Sequence, residues 1–235
     1  MERSDHPDAD ALAKAASVEI EMHLRAALAT RGEASLILSG GSSPKPVYER
    51  LAQADIPWDG VVISLVDERW VPSGAPGSNA DFIRDCFAGS PAERAQFIPL
   101  YNGHSSAQAG IEAAEQALAL APQPFDVVVL GMGGDAHTAS WFPDSGGLDV
   151  ALDPANPATL CAVDATGCPV AGEHTDRITL TYSAVARARH AVLLLPSAAK
   201  RDVFEASQGK PLRQAPVAAL SRLDRLSVHA LGSQP

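Results

Sequence analysis

No stretch of this chain approaches the roughly 20 consecutive apolar residues that a bilayer-spanning helix needs, so no membrane-spanning helix is expected. The N-terminus, Met1-Glu2-Arg3-Ser4-Asp5-His6, lacks the apolar core of a signal peptide. Cysteine is scarce: Cys86, Cys161 and Cys168 are odd in number and form no CxxC pair, which argues against a disulfide framework or a cysteine zinc site. A reducing, cytoplasmic setting fits this usage. Positive charge is also short. Lys plus Arg number 18 against 28 Asp plus Glu, for a formal net charge of −10. A nucleic-acid partner wants a basic face and is not expected. An anionic metabolite would have to be held by a local cluster of N–H groups, Arg and Lys, against the overall field. Internal repeats and low-complexity tails are absent.

What is present is an alternation of helical and extended patterns. Leu12, Ala16, Ile20, Leu24 and Leu28 recur every fourth residue, predicting a helix over about 8–30 stopped by Gly32. Apolar runs at 35–38, 61–66, 127–130, 178–181, 191–195 and 226–230 read as strands. Helices are expected from near Pro44, over 79–87, over about 106–119 and over 199–207. At 235 residues the chain can bury one substantial core. The expected fold is therefore α/β, a mostly parallel sheet with helices on both faces. The segment 149–176, rich in Pro, Gly and Asp, is expected to be a small β-containing excursion within a single domain spanning 1–235.

Chemistry-bearing residues concentrate after the strands, where open α/β sheets bind small molecules. Ser39-Gly40-Gly41-Ser42-Ser43-Pro44 leads from a strand into a helix start, a pattern suited to cradling phosphate. The bland alternative is a glycine turn with Ser43 as N-cap. Asp67-Glu68-Arg69 follows the next strand, where Arg69 can grip an anion with its planar fork, or simply pair at the surface. Gly131-Met132-Gly133-Gly134-Asp135-Ala136-His137 follows the third, placing a carboxylate and an imidazole two residues apart. An imidazole there can move a proton near neutral pH. This loop also fits the dinucleotide pattern G-x-G-x-x-A, but Trp141 to Gly147 interrupts any following helix and no second strand comes at the right distance. Arg177 and Lys200 flank two later strands and can supply local positive charge. The other histidines (His6, His23, His104, His174, His190, His229) read as scattered surface or packing residues.

Four segments carry a resemblance. SGGSSPKPVYERL from Ser39, VDERWVPSGAPGSNADFIRDCF from Val66, FDVVVLGMGGDAHTASWFP from Phe125 and DRITLTYSAVARARHAVLLL from Asp176, with Lys200 beyond, resemble the 6-phosphogluconolactonase family. That family lies within the wider superfamily that includes glucosamine-6-phosphate deaminase. The resemblance implies the Rossmann-like three-layer fold of the deaminase. It favours the lactonase branch, because the deaminases carry Asp-Glu-Tyr where this chain has Asp67-Glu68-Arg69. They also place a further glutamate after the loop histidine, where this chain has Thr138-Ala139-Ser140-Trp141-Phe142-Pro143. Three positions depart from the family's usual glycine: Ala136, Asp144 and Ser197. If position 136 requires positive φ, alanine strains the loop by roughly 1 kcal/mol or more.

The resemblance implies hydrolysis of 6-phospho-D-glucono-1,5-lactone to 6-phosphogluconate in the oxidative pentose phosphate pathway. His137 would act as general base, Asp135 would orient it, Asp67 would serve beside them, and Arg69 would stabilise the oxyanion. Ser39, Gly40, Gly41, Ser42, Ser43, Arg177 and Lys200 would hold the phosphate. No cofactor and no metal is expected, and the partner is a small phosphosugar lactone, bound by a monomer or small homo-oligomer. The alternatives are glucosamine-6-phosphate deaminase/isomerase, a non-catalytic sugar-phosphate-binding protein, and an NAD-linked enzyme.

Overall fold

The computed structural model describes residues 1–232. The chain opens with strand β1 (Glu2–His6) and the long helix α1 (Ala9–Arg31). Asp8 caps α1 by accepting the N–H of Ala11, and Gly32 closes it by donating to the Leu28 carbonyl. The every-fourth-residue stripe of Leu12, Ala16, Ile20, Leu24 and Leu28 is buried, and α1 packs on the strand β2 (Ala34–Leu38) and the final strand β10 (Leu226–Leu231). Helix α2 (Lys45–Leu51) follows, then β3 (Val61–Leu65), β4 (Asp67–Arg69), α3 (Asn79–Phe87) and β5 (Gln96–Phe97). Next come α4 (Ala107–Leu118), β6 (Val127–Leu130), α5 (Leu148–Leu152), β7 (Leu160–Asp164) and β8 (Asp176–Leu180). Helix α6 (Tyr182–Arg187), β9 (Ala191–Leu195) and α7 (Ala198–Ser207) precede β10.

Seven strands form one parallel sheet in the order β1-β10-β9-β6-β2-β3-β5. Every residue of β2, β3, β6 and β9 is buried, which explains their near-continuous apolar sequences: a strand covered on both faces has no solvent side to pattern. The chain moves outward from β2 through β3 to β5, then returns to the other side of β2 and moves outward again through β6, β9 and β10. The reversal leaves a crevice at the carboxyl ends of β2 and β6.

A second sheet, in the order β4-β8-β7, is antiparallel and stands beside this crevice. It corrects two expectations. Asp67-Glu68-Arg69 is a strand and not a loop, and the strand expected at 178–181 pairs antiparallel in the small sheet instead of extending the main one. The physical reason is local: Leu180 N–H bonds to Val66 O, turning the chain leaving β3 into partnership with β8. Strand β1 was not expected at all. Among the described residues no helix is long and apolar enough to cross a membrane.

Candidate functional site

The crevice at the β2/β6 switch point is a cleft of about 260 Å³, near the lower end of the roughly 300–1,000 Å³ typical of small-ligand sites. The loop after β2 forms one wall. Gly40 makes a close approach there: a Cβ on it would lie 1.9 Å from Asn79 Oδ1, so a side chain at this position would displace the Asn79 amide. Asn79, the first residue of α3, in turn donates its side-chain N–H to the Asp67 carbonyl at 2.9 Å, tying the loop to β4. Lys200 enters from the first turn of α7 and donates from Nζ to Ser43 Oγ at 2.8 Å. Burial lowers the Lys200 ammonium below its ordinary pKa. Ser197, one of the positions where the family has glycine, is the N-cap of α7; its Oγ accepts the Lys200 N–H. The departure is thus a capping residue that holds the turn carrying Lys200.

The loop after β6 supplies the second wall. Gly133 makes a similar approach: a Cβ there would sit 2.2 Å from His137 Cε1, so the imidazole lies directly against the glycine backbone. The ring also packs on Phe142, centroid to centroid 4.5 Å. His137 Nδ1 is 2.5 Å from Asp135 Oδ1. Burial pushes the Asp135 carboxyl up, but hydrogen bonds from the His137 ring and N–H outweigh it and hold its pKa below the ordinary carboxylate value. The glycine loop opens no helix, since the next one begins at Leu148. A dinucleotide pyrophosphate would therefore find no helix N-terminus here.

The small sheet contributes the third wall. Arg69 and Arg177 are register partners on β4 and β8. Arg177 is buried, bonded from Nε to His174 O at 2.5 Å and from Nη2 to Ala171 O at 2.9 Å, with its guanidinium 5.3 Å from the Phe142 centroid. Arg69 bonds to Gly77 O through Nη1 at 2.5 Å, while its buried Nε has no partner among the described residues. Asp67 accepts from Ser140 Oγ at 2.6 Å, joining the small sheet to the histidine loop. The site of this acidic chain therefore gathers Arg69, Arg177 and Lys200 around one cleft.

The structure brings Ser39, Gly40, Gly41, Ser42, Ser43, Asp67, Arg69, His137, Arg177 and Lys200 to the cleft lining. Asp135 lies behind the His137 ring and not in the wall. Two details differ from the sequence reading. Ser39 cannot offer its N–H to a ligand, because β-type pairing commits it to Val129 O at 3.1 Å. Ser43 caps no helix; Pro44 holds that position, leaving the Ser43 hydroxyl free to meet Lys200. Sequence reasoning missed Asn79 and Phe142 as lining residues, and missed that buried Glu68 is a structural anchor. Glu68 accepts N–H bonds from Arg69, Asn79 and Ala80 at 2.7–2.8 Å. An acid 11 residues before the Ser78-Asn79 helix start was the available signal for that anchor.

Comparison with known proteins agrees with this geometry. The family model described as glucosamine-6-phosphate isomerases/6-phosphogluconolactonase matches residues 7–228. A Rhizobium meliloti protein named 6-phosphogluconolactonase is 38% identical over 213 residues, covering 90% of each chain. Its namesake from Pseudomonas aeruginosa is 37% identical over 218 residues, covering 92% of this chain and 89% of its own. The crystal structure of a 6-phosphogluconolactonase from Shewanella baltica superposes with a TM-score of 0.89 at 36% identity, covering 98% of this chain and 97% of that one. With the two glycine loops, the small sheet and the lysine of α7 all in place, the chain belongs to the glucosamine-6-phosphate isomerase/6-phosphogluconolactonase family.

Proposed function

We propose that this chain hydrolyses 6-phospho-D-glucono-1,5-lactone to 6-phosphogluconate. The observation that carries the reading is the Asp135-bound His137 lining the same cleft as the Ser43–Lys200 pair: a proton-transfer group and an anion-binding group share one sugar-sized space. Sequence relatives bearing the lactonase name support the same reaction.

The chemistry follows from the donors present. Asp135 accepts the Nδ1–H of His137, which leaves Nε2 as the lone-pair nitrogen. Nε2 takes a proton from a water as its oxygen bonds to the lactone carbonyl carbon. Charge builds on the carbonyl oxygen, and the guanidinium of Arg69, which lines the cleft, is the donor suited to it. The tetrahedral intermediate collapses by breaking the bond from carbon to ring oxygen, and the imidazolium returns its proton to that oxygen. The product acid then loses its proton to solvent. Asp67 holds Ser140 and so fixes the histidine loop to β4. The phosphate is gripped by Lys200, Arg177 and the Gly40–Ser43 loop. A lactone is an activated ester, so this route calls on neither a metal nor a covalent nucleophile. A cytoplasmic setting and a single domain belong to the same reading, supported by three free cysteines and by one main sheet that carries the smaller one beside it. A coupled assay with freshly generated lactone and a 6-phosphogluconate readout tests the reading: acceleration above spontaneous hydrolysis supports it, and none rejects it.

A further inference from the structure

Four of the seven histidines lie far from the cleft in sequence, yet the structure assembles them along a single carboxylate. His190 Nε2 and His229 Nε2 each lie 2.7 Å from one oxygen of Glu19, and His229 Nδ1 lies 2.9 Å from His6 Nε2. His23, one turn after Glu19 on the same face of α1, stacks on His190 with ring centroids 4.0 Å apart. His190 immediately precedes β9, while His229 on β10 pairs with Leu194 and His6 ends β1; the cluster runs along these strands beneath α1, and none of its members lines the cleft. Glu19, His23 and His190 line a separate cavity of about 760 Å³.

We propose that Glu19, His23 and His190 form a binding site for one divalent transition-metal ion, with Zn²⁺ the best match. One ligand atom from each of the three residues lies within 4.8 Å of the others, and the closest pair is 2.7 Å apart. Those spacings bracket the roughly 3.4 Å edge of a tetrahedron with bonds of about 2.1 Å, the geometry and donor set of a His₂Glu zinc site. In the metal-free chain the His23 and His190 rings are stacked, so binding the ion requires the two rings to part until both nitrogens face Glu19. The outer hydrogen bonds are already built: His229 holds the second oxygen of Glu19 and is itself held by His6, an arrangement that orients a ligating carboxylate. All three residues line the cavity, so an ion there has an approach from outside and room for a water as its fourth ligand. Such an ion would clamp α1 to the start of β9 and bears no relation to the hydrolytic cleft.

The test is calorimetric titration of Zn²⁺ into the tag-free, chelator-stripped full chain, with Co²⁺ absorption reporting coordination. The expected result is one ion per chain with a Kd below about 10 μM, binding weakened at least tenfold in His23→Ala or His190→Ala, and retained in His137→Ala. Circular dichroism checks that each variant folds, and two variants on different elements guard against the loss of either one. Absence of stoichiometric binding, undiminished binding in both variants, or loss of binding in His137→Ala overturns the proposal.

Discussion

One oxygen of Asp135 holds both ends of His137: Oδ1 lies 2.5 Å from the ring Nδ1 and 3.3 Å from the backbone N of the same residue. The carboxylate therefore sets the tautomer and the ring position together. Replacing Asp135 by Asn removes the charge and is expected to lower kcat roughly 10- to 100-fold with little change in KM. It also has a pH signature. The folded-state pKa of Asp135 lies below its unfolded value of about 3.9. Its contribution to stability is thus present above the unfolded pKa and is lost as pH falls through the folded one. Urea denaturation should show the difference between wild type and Asp135→Asn shrinking as pH falls below the unfolded value; a constant difference contradicts the assignment.

Gly133 tests how closely the imidazole is seated. Alanine there places a Cβ 2.2 Å from Cε1 and 2.3 Å from Nδ1 of His137. The ring is the movable partner, so it should swing away while the loop folds normally. We expect Gly133→Ala to reduce kcat at least ~10-fold with stability changed by no more than about 1 kcal/mol. Full activity in that variant would show that the ring works from another position.

Lys200 should separate binding from chemistry. Its Nζ reaches Ser43 at the glycine loop, the part of the cleft assigned to phosphate. Loss of one charge-assisted bond to a phosphate dianion weakens binding by roughly 1.5–3 kcal/mol. Lys200→Ala should therefore raise KM on the order of 10- to 100-fold with kcat within a few-fold. A kcat defect at unchanged KM would move Lys200 out of the phosphate site.

Glu68 predicts a stability effect of opposite sign to that of Asp135. Burial pushes its carboxyl up to about 7 despite the N–H bonds from Asn79, Ala80 and Arg69. The folded pKa is above the unfolded value of about 4.3. The stability linked to its protonated form is full below pH 4 and is lost as pH rises through about 7. Glu68→Gln does not titrate, so the stability difference between wild type and variant should change with pH over that window, by on the order of 3 kcal/mol. Equal pH slopes for the two proteins would contradict the burial argument.

The sequence made the main sheet legible where strands are covered on both faces. Val127–Leu130 and Ala191–Leu195 are apolar at every position because nothing on either side is water. The glycine loops were legible for a related reason, since close approach of Asn79 to Gly40 and of His137 to Gly133 leaves room for no side chain. Strand β1 was illegible because Glu2–His6 buries almost nothing and carries no apolar alternation; its backbone pairs with β10, and its side-chain ties, Arg3 to Glu205 and His6 to His229, reach residues more than two hundred positions later. The small sheet was illegible because β4 is three polar residues whose partner, β8, comes more than a hundred residues later. Ala136 and Asp144, singled out as non-glycines in the resemblance, do adopt positive φ, at 66° and 55°. The strain is held by tertiary bonds, from Val217 N–H to Ala136 O and from Asp144 N–H to Arg213 O, that no local pattern announces. The same holds for the histidine cluster at Glu19, whose members read as scattered until β9, β10 and α1 are placed side by side.

The central claim is that His137 is the general base for lactone opening. The direct measurement is turnover of purified His137→Ala, corrected for spontaneous hydrolysis of the lactone, with His137→Gln as a second variant. The account predicts a fall in kcat of about 100-fold or more for both, with the phosphate still bound. Turnover within a few-fold of the wild type in either folded variant would contradict it.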